Sequence, residues 1–214
     1  DSEKMIKRKD IDVIDVCTRA SPGEPDNHEK LVFASLKGGK HCLCEKPVAH
    51  DFRNTWKAHR LAESKGLKTK VGLTFRYAPA MMYMNHLIEE GFVGKPFIFN
   101  GYEQNSQFLN PDEPLTKRDL IPPTESEEIR VSSLEGYGAP IIDLSLMFMS
   151  SDLTRVVGLM KNFVPYRTDF DGTKVRTNID DGDIYIGEYE SGAICSIQSS
   201  YVTVGNYPGL EARV

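Results

Sequence analysis

Three short strand-like runs, separated by stretches with helical periodicity, dominate the first third of the chain. Residues 12–18 and 41–44 are apolar and have the length of strands that are buried on both faces. Residues 71–75 alternate between larger apolar and smaller or polar side chains, which is the period of a third strand. Residues 28–39 and 51–66 carry apolar side chains at helical spacing. Strands that alternate with helices predict a parallel sheet with crossover helices.

Polar residues stand where each predicted strand ends. They are Thr18, Glu45, Lys46, Arg76 and Tyr77, and Pro47 directly follows Lys46. Ligands of parallel sheets bind at the carboxyl ends of the strands, so we expect chemistry at this edge. Pro47 restricts the residue before it, which aims the Lys46 ammonium into the crevice above the sheet. A partly desolvated lysine there can polarise an alcohol or transfer a proton, although the tripeptide alone also fits a surface lysine in a turn.

The pattern changes after Gly94. Strand-like runs cover residues 96–102, 153–163, 183–189 and 193–204. Residues 141–149 form a very apolar predicted helix, and residues 106–130 a long loop. Glu190, Ser191 and Gly192 join the last two strands as a hairpin signal. We therefore predict a second α+β domain with an open, mainly antiparallel sheet and helices on one face. The predicted domains span residues 1–93 and 94–214.

Composition excludes several classes of protein. The formal net charge of the 214 residues is −5, and the basic residues are scattered among acidic ones, which argues against a nucleic-acid surface. No apolar run approaches the ~18 residues of a membrane span. The four cysteines fit small buried side chains in a reducing compartment better than a disulfide framework or a zinc site. We expect a cytoplasmic protein without a metal site.

Residues 39–47, GKHCLCEKP, resemble the G-K-H-V-x-x-E-K-P signature of the glucose–fructose oxidoreductase / inositol dehydrogenase / MocA (Gfo/Idh/MocA) family. Residues 71–79 resemble its V-G-x-x-x-R-[FY]-x-P stretch, and residues 90–96 its passage into the second domain. The resemblance continues, in the family's order, through residues 179–181 and 189–193. It implies a Rossmann-type dinucleotide-binding domain followed by a domain for substrate binding and oligomerisation. It also implies NAD or NADP as cofactor, hydride transfer to or from a sugar, polyol or related compound, and a homo-oligomer formed through the open sheet.

The resemblance assigns roles to nine residues. The catalytic residues would be Lys46 and Asp143. The cofactor-binding residues would be Thr18, His28, Glu45, Lys46, Pro47 and Arg76. The substrate-binding residues would be Lys46, Arg76, Tyr77, Tyr137 and Asp143. The family's Lys-Pro bond is often cis, which implies the same for Lys46-Pro47. Asp143 also has a structural interpretation, as a buried carboxylate satisfied by backbone caps.

Three departures from the family pattern affect the predicted function. No G-x-G-x-x-G precedes Asp12, so we expect this chain to be a fragment that lacks the family's phosphate-binding loop. The loop between Thr18 and His28 is longer than the family's. In the family's D-x-G-x-H-x-x-D motif, Met147 stands in place of the histidine. Ser145 and Ser150 replace its glycine and its last aspartate.

Methionine cannot move a proton, whereas histidine suits that role near neutral pH. Three alternatives therefore stay open for the reaction. The first is a variant chemistry centred on Lys46, with Asp143 as a carboxylate partner. The second is that of relatives that use the same cofactor while cleaving a glycoside. The third is a non-catalytic binding or assembly module derived from the family.

Overall fold

The computed structural model describes residues 1–18, 27–112, 129, 131–169, 171–204 and 209–214. The chain folds into two compact units, Asp1–Leu73 and Thr74–Val214. The predicted domain boundary after residue 93 lies inside the second unit. The predicted boundary separates a cofactor-binding domain from a substrate-binding domain, whereas the two units are defined by their compactness. The boundary therefore stays a prediction.

A small parallel sheet with helices makes up the first unit. Its strands are β1 (Val13–Val16), β2 (His41–Cys44) and β3 (Thr69–Val71), and its helices are α1 (Ser2–Ile6), α2 (His28–Lys37) and α3 (Phe52–Ser64). β2 lies between β1 and β3 and pairs in parallel with both. This order confirms the predicted partial Rossmann-type sheet.

Local sequence explains where these elements begin and end. The Asp51 carboxylate caps α3 by accepting a hydrogen bond from the Arg53 amide at 2.9 Å. Gly39 follows α2 with a φ of +75°, a left-handed conformation that favours glycine. Leu36 of α2 is fully buried in a core with Val16 and Cys44 of the sheet. Helix α2 therefore covers the sheet through an apolar side chain that the helical spacing predicted, whereas Phe52 and Trp56 of α3 are exposed.

The third strand is shorter than the sequence predicts. Its pairing with β2 ends at Val71, opposite Cys44, which is the last residue of β2. The Gly72 amide still donates to the carbonyl of Cys44 at 2.8 Å, and no later residue of this segment pairs with β2. The Leu73 amide turns back to the Val71 carbonyl at 2.8 Å. Residues Thr74–Tyr77 then form a 3₁₀ turn. The assignment of Phe75 to a strand is therefore wrong.

In the described part of the chain, the second unit contains a mixed five-stranded sheet. Its strands run in the order β10 (Gly209–Arg213), β4 (Ile98–Gln104), β9 (Ile194–Ser200), β8 (Gly182–Tyr189), β5 (Leu153–Lys161). Only β4 and β9 pair in parallel, and the other three pairings are antiparallel. A separate hairpin joins β6 (Tyr166–Thr168) to β7 (Lys174–Arg176). The predicted open, mainly antiparallel sheet is confirmed.

The hairpin between β8 and β9 follows the predicted turn residues. Gly192 has a φ of +82°, and its amide donates to the carbonyl of Tyr189 at 2.9 Å. The Tyr189 amide donates to the Ala193 carbonyl at 2.8 Å, which closes the turn. β9 ends at Ser200, before the predicted end at residue 204. Most of the predicted loops at residues 19–27 and 106–130 lies outside the described residues.

Helix α5 (Ala139–Met149) covers one face of the five-stranded sheet. Its side chains Ile141 and Phe148 join a buried core with Phe99 and Ile197 of the sheet. Helix α4 (Pro79–Glu89) packs the partly buried Met81, Met84 and Ile88 against the same core. No helix in the described ranges is both long and apolar enough to cross a membrane.

Candidate functional site

Two loops of the first unit leave adjacent parallel strands at the same edge of the sheet. The Glu45 amide donates to the Val16 carbonyl at 2.9 Å, so the loop after β2 starts beside the end of β1. Thr18 follows β1 and is exposed, and its Oγ1 donates to the Asn27 side-chain oxygen at 2.6 Å. Lys46 is partly buried, and the Lys46-Pro47 peptide bond is cis. The sheet thus places Thr18 beside Glu45, Lys46 and Pro47 at its carboxyl edge, as the sequence predicted.

His28 connects these two loops. The residue opens α2 and is 6% exposed. Its Nδ1 lies 2.8 Å from the carbonyl oxygen of Pro47, and its Nε2 lies 2.6 Å from that of Thr18. Both ring nitrogens thus face backbone oxygens of the loops that carry the candidate residues. This geometry gives His28 a positioning role, and its predicted contact with a cofactor stays a prediction.

Glu45 lies against the end of the third strand. A Cβ placed on Gly72 would meet Glu45 Oε1 at 2.9 Å and the Glu45 Cα at 3.4 Å. A side chain at this position would therefore push aside the end of the Glu45 side chain, and it would touch the backbone of the loop that carries Lys46. The absence of a side chain at Gly72 lets the ends of β2 and β3 approach closely.

Arg76 and Asp143 form a bidentate ion pair in the second unit. Arg76 Nε donates to Asp143 Oδ2 at 2.8 Å, and a terminal guanidinium nitrogen donates to Oδ1 at 2.5 Å. The hydrogen bonds to Asp143 raise the pKa of Arg76 further above its ordinary value. Asp143 lies on α5, with its side chain 13% exposed. The alternative that backbone caps satisfy this carboxylate is wrong, because a guanidinium does so.

Lys46 and Asp143 belong to different units. The predicted carboxylate partnership between them therefore stays a prediction. Tyr77 follows Arg76 in the 3₁₀ turn and is 51% exposed, which leaves much of its ring accessible.

Tyr137 lies on a π-helical turn, Leu134–Gly138, directly before α5. Its hydroxyl donates to the side-chain oxygen of Gln107 at 2.6 Å. Its ring meets the Tyr201 ring edge to face, with 4.9 Å between the centroids. The ring is half-buried and fixed at both its edge and its hydroxyl, so it presents a defined aromatic and polar surface.

Met147 takes its place in the apolar packing of α5. It lies one helical turn after Asp143 and packs against the core of the second unit. The Ser145 hydroxyl donates to the Ile142 carbonyl at 2.7 Å, and Ser150 ends the helix with a φ of +47°. Met147, Ser145 and Ser150, which replace three residues of the family motif, thus serve packing and helix termination here. None of them offers a general base with a pKa near neutrality.

Sequence reasoning missed a buried acidic cluster beside the turn that carries Tyr137. Asp180, Asp181 and Asp183 are all less than 5% exposed. Asp181 accepts hydrogen bonds from the amides of Phe163 and Val164 at 2.7 and 2.9 Å. Arg167, also buried, pairs with Asp181 at 3.3 Å. The sequence did offer one signal, which is three aspartates within four positions at the start of a predicted strand. A buried carboxylate needs a hydrogen-bonding or charged partner, so this run indicated a cluster of paired polar groups.

Burial raises the pKa of Asp183 to about 8, and the neighbouring Asp180 carboxyl group adds to this shift. The Ser199 hydroxyl donates to Asp183 at 3.1 Å. At neutral pH the Asp183 carboxyl group is therefore mostly protonated. In the described ranges, no group of three or more His, Cys, Asp or Glu side chains is arranged to hold a metal ion.

Several known proteins resemble the chain. Residues 1–73 match the Gfo/Idh/MocA family model, described as an oxidoreductase family with an NAD-binding Rossmann fold. Levoglucosan dehydrogenase of Pseudarthrobacter phenanthrenivorans is 22% identical over 94% of this chain and 52% of its own length. An inositol 2-dehydrogenase/D-chiro-inositol 3-dehydrogenase of Lactiplantibacillus plantarum is 29% identical over 56% of this chain and 33% of its own length. The chain thus spans about half the length of the first of these relatives and a third of the second.

Solved structures share the fold. An NAD-binding oxidoreductase from Klebsiella pneumoniae superposes on 99% of this chain with a TM-score of 0.87 at 22% identity, and 54% of that protein is covered. A levoglucosan dehydrogenase complex with NADH and L-sorbose superposes on 99% of this chain with a TM-score of 0.86 at 22% identity. In that structure 53% of the protein is covered. At this identity the likeness establishes the shared fold.

Replacing His28 with Ala should destabilise the first unit by about 1–3 kcal/mol, because the buried imidazole and its contacts with two backbone carbonyl groups are lost. Denaturant unfolding followed by circular dichroism measures this loss. His59→Ala is the matched control, since that imidazole lies on α3 with 48% of its side chain exposed. Equal effects of the two substitutions would contradict the positioning role of His28.

The raised pKa of Asp183 predicts a pH dependence of stability. The folded chain keeps a proton up to pH about 8, whereas the unfolded chain releases it near pH 4. The free energy of unfolding should therefore fall with rising pH in this window, by on the order of 1 kcal/mol per pH unit from this group. Urea unfolding of Asp183→Asn between pH 4 and 8 should show a flatter dependence than wild type. The exposed control Asp171→Asn should retain the wild-type slope, and a retained slope in Asp183→Asn would refute the assignment.

Proposed function

We propose that this chain, which belongs to the Gfo/Idh/MocA oxidoreductase family, is part of an NAD(P)-dependent oxidoreductase that acts on a sugar, polyol or related compound. One observation carries the proposal. Adjacent parallel strands place Thr18 and Glu45-Lys46-Pro47 at one sheet edge, within the residues that match the family's NAD-binding region. Parallel sheets of this type bind ligands at that edge. Related proteins act on levoglucosan and inositols, which supports the substrate class.

The residues at the edge of the first sheet fit the reactive end of a nicotinamide cofactor. Thr18 offers an exposed hydroxyl, and Lys46 offers a partly buried amino group beside it along the sheet. We assign Thr18, Glu45, Lys46 and Pro47 to this end of the cofactor. The sequence contains no G-x-G-x-x-G, so we assign no residue of this chain to the pyrophosphate. A cytoplasmic location stays part of the prediction.

Oxidation of an alcohol breaks one C–H and one O–H bond. A nicotinamide, when bound, supplies the acceptor for the hydride that leaves carbon. We propose that Lys46 orients the substrate hydroxyl and takes the proton that leaves its oxygen. The Arg76–Asp143 pair and Tyr137 would bind further hydroxyl groups of the substrate, since they offer charged donors, carboxylate oxygens and a phenol. Met147 takes no part in proton transfer.

Substitution of Lys46 tests the proposed chemistry. Lys46→Met should lower kcat for oxidation of levoglucosan or myo-inositol by about 100-fold or more, because a proton-transfer group is lost. Its affinity for NADH, measured by fluorescence titration, should change by less than about threefold, because methionine retains most of the volume of the side chain. Lys57→Met, on the exposed surface of α3, is the matched control. An unchanged kcat in Lys46→Met would contradict this role.

One observation favours a second candidate, a binding or assembly module without catalysis. The motif position that holds histidine in the family holds Met147, which packs against the core. Titration of the full-length protein with NADH and with NADPH separates the two candidates and also the two cofactors. Tight binding of NADH or NADPH without turnover of any polyol favours the module or a relative that cleaves glycosides. An assay with a glycoside and NAD distinguishes these two. Turnover supports the dehydrogenase.

We also propose that the open face of the five-stranded sheet binds a second copy of this chain. The face opposite α5 carries six aliphatic side chains that are 49–73% exposed. They are Ile98, Val157, Leu159, Ile184, Ile186 and Ile194. They lie in register on adjacent strands, as the pairings of Ile98 with Ile194 and of Val157 with Ile186 show. A contiguous apolar patch of this kind marks an interaction surface.

Charge placed in this face should dissociate the oligomer. Ile186→Arg puts a cation at the centre of the patch, where a second copy would bury it without a partner. Sedimentation velocity should show a homo-oligomer for wild type and a monomer for Ile186→Arg. Val204→Arg, at an exposed valine outside the sheet, should leave the oligomer intact. A monomeric wild-type protein would contradict the proposed interface.

A further inference from the structure

One residue holds the start of the turn that carries Tyr137. The amide of Ser132 donates to Oδ1 of Asp180, and the amide of Leu134 donates to its Oδ2 at 2.8 Å. The amide of Ser133 donates to the backbone carbonyl of Asp180 at 3.3 Å. Three successive N–H groups thus end on a single residue that lies 46 to 48 positions away in the sequence.

These three donors are the groups that a helical turn leaves without partners at its start. Asp180 is fully buried, and so are Ser132 and Ser133, with 5% exposure or less. Water is therefore a poor substitute for the carboxylate, and loss of this acceptor would leave buried amides without hydrogen bonds. Asp180 thus supplies the acceptors for three amides at the start of the π-helical turn.

The same scaffold fixes the ring of Tyr137. The Tyr201 hydroxyl donates to the Ser132 carbonyl at 2.9 Å, while the Tyr201 ring packs edge to face against Tyr137. Gly136 lies so close to Tyr201 that an added Cβ would meet its hydroxyl oxygen at 2.7 Å. The position of Tyr137 is thus set by where the turn begins, and Asp180 sets that beginning.

We propose that Asp180 is a positioning residue of the substrate site, which acts through the turn at residues 132–138 to place Tyr137. The link to substrate rests on the proposed function, in which Tyr137 contacts the sugar or polyol. The link to the turn rests only on the hydrogen bonds and burial. Each link therefore has its own measurement.

Hydrogen–deuterium exchange of the full-length protein tests the link to the turn. Asp180→Asn keeps one acceptor oxygen and removes the other, and it should accelerate exchange of the amides in residues 132–138 by about tenfold or more. Asp181→Asn is the matched control, since Asp181 is equally buried but holds the amides of Phe163 and Val164. It should leave residues 132–138 unchanged. Equal acceleration of these residues by both variants, or by neither, overturns the proposal.

The wild-type protein supplies a measurement that needs no variant to fold. The amides of Ser132 and Leu134 should exchange far more slowly than the amide of Val131, because Asp180 holds the first two and Val131 is 49% exposed. Exchange of all three amides at the rate of an exposed chain overturns the proposal.

Steady-state kinetics with levoglucosan and myo-inositol test the link to substrate. Asp180→Asn should raise KM by about tenfold and change kcat by less than about threefold, because a displaced Tyr137 weakens binding and leaves the proton acceptor in place. An unchanged KM in a variant whose turn exchanges faster overturns the positioning role. A wild-type protein that oxidises neither compound contradicts the proposed function instead, and the exchange experiments then decide the assignment of Asp180.

Discussion

The parallel pairing of β1 with β2 is the constraint on which the candidate site depends. Parallel strands point their carboxyl ends to the same edge, so the loops that follow β1 and β2 must start side by side. Thr18 and Lys46 are far apart in the sequence and become neighbours along the edge only through this pairing. His28 then fixes both loops with one imidazole, since its two ring nitrogens face the carbonyls of Thr18 and Pro47. Placement at the sheet edge thus comes from backbone hydrogen bonds and a single buried side chain.

The second unit relies on buried charge where the first relies on strand pairing. Asp143 and Asp181 each accept a guanidinium hydrogen bond, and Asp180 accepts the amides at the start of a turn. Burying a carboxylate without such donors would be costly, so each donor is held in a defined position relative to its acid. Asp183 meets the same cost by remaining protonated near neutral pH. These polar contacts determine where the Tyr137 turn and the Arg76 side chain lie.

Sequence patterns predicted much of this fold because the patterns are local. Helix spacing and the Glu190-Ser191-Gly192 hairpin each act within a few residues, and each is found where it was predicted. The third strand was predicted too long because alternation at Phe75 is a local signal, while a strand also needs a partner, and β2 ends at Cys44. The motif resemblance predicted the family, and it predicted the order of the site residues along the chain.

The contacts that hold the site are long-range, and this explains what sequence reasoning missed. The Arg76–Asp143 pair joins residues 67 positions apart, and the Asp180 contacts join residues 46 to 48 apart. No spacing rule connects such positions in a single sequence. Asp180 and Asp181 were visible as a pair, but nothing in their neighbours indicated that one would hold a turn and the other a buried arginine.

A crystal structure of the full-length protein with NADH bound tests the central claim most directly, namely that the edge formed by the loops after β1 and β2 is the reactive face of a dinucleotide site. The account predicts that the nicotinamide ring lies against Thr18 and Lys46. A nicotinamide ring bound away from this edge, or no bound dinucleotide at saturating NADH, would contradict it.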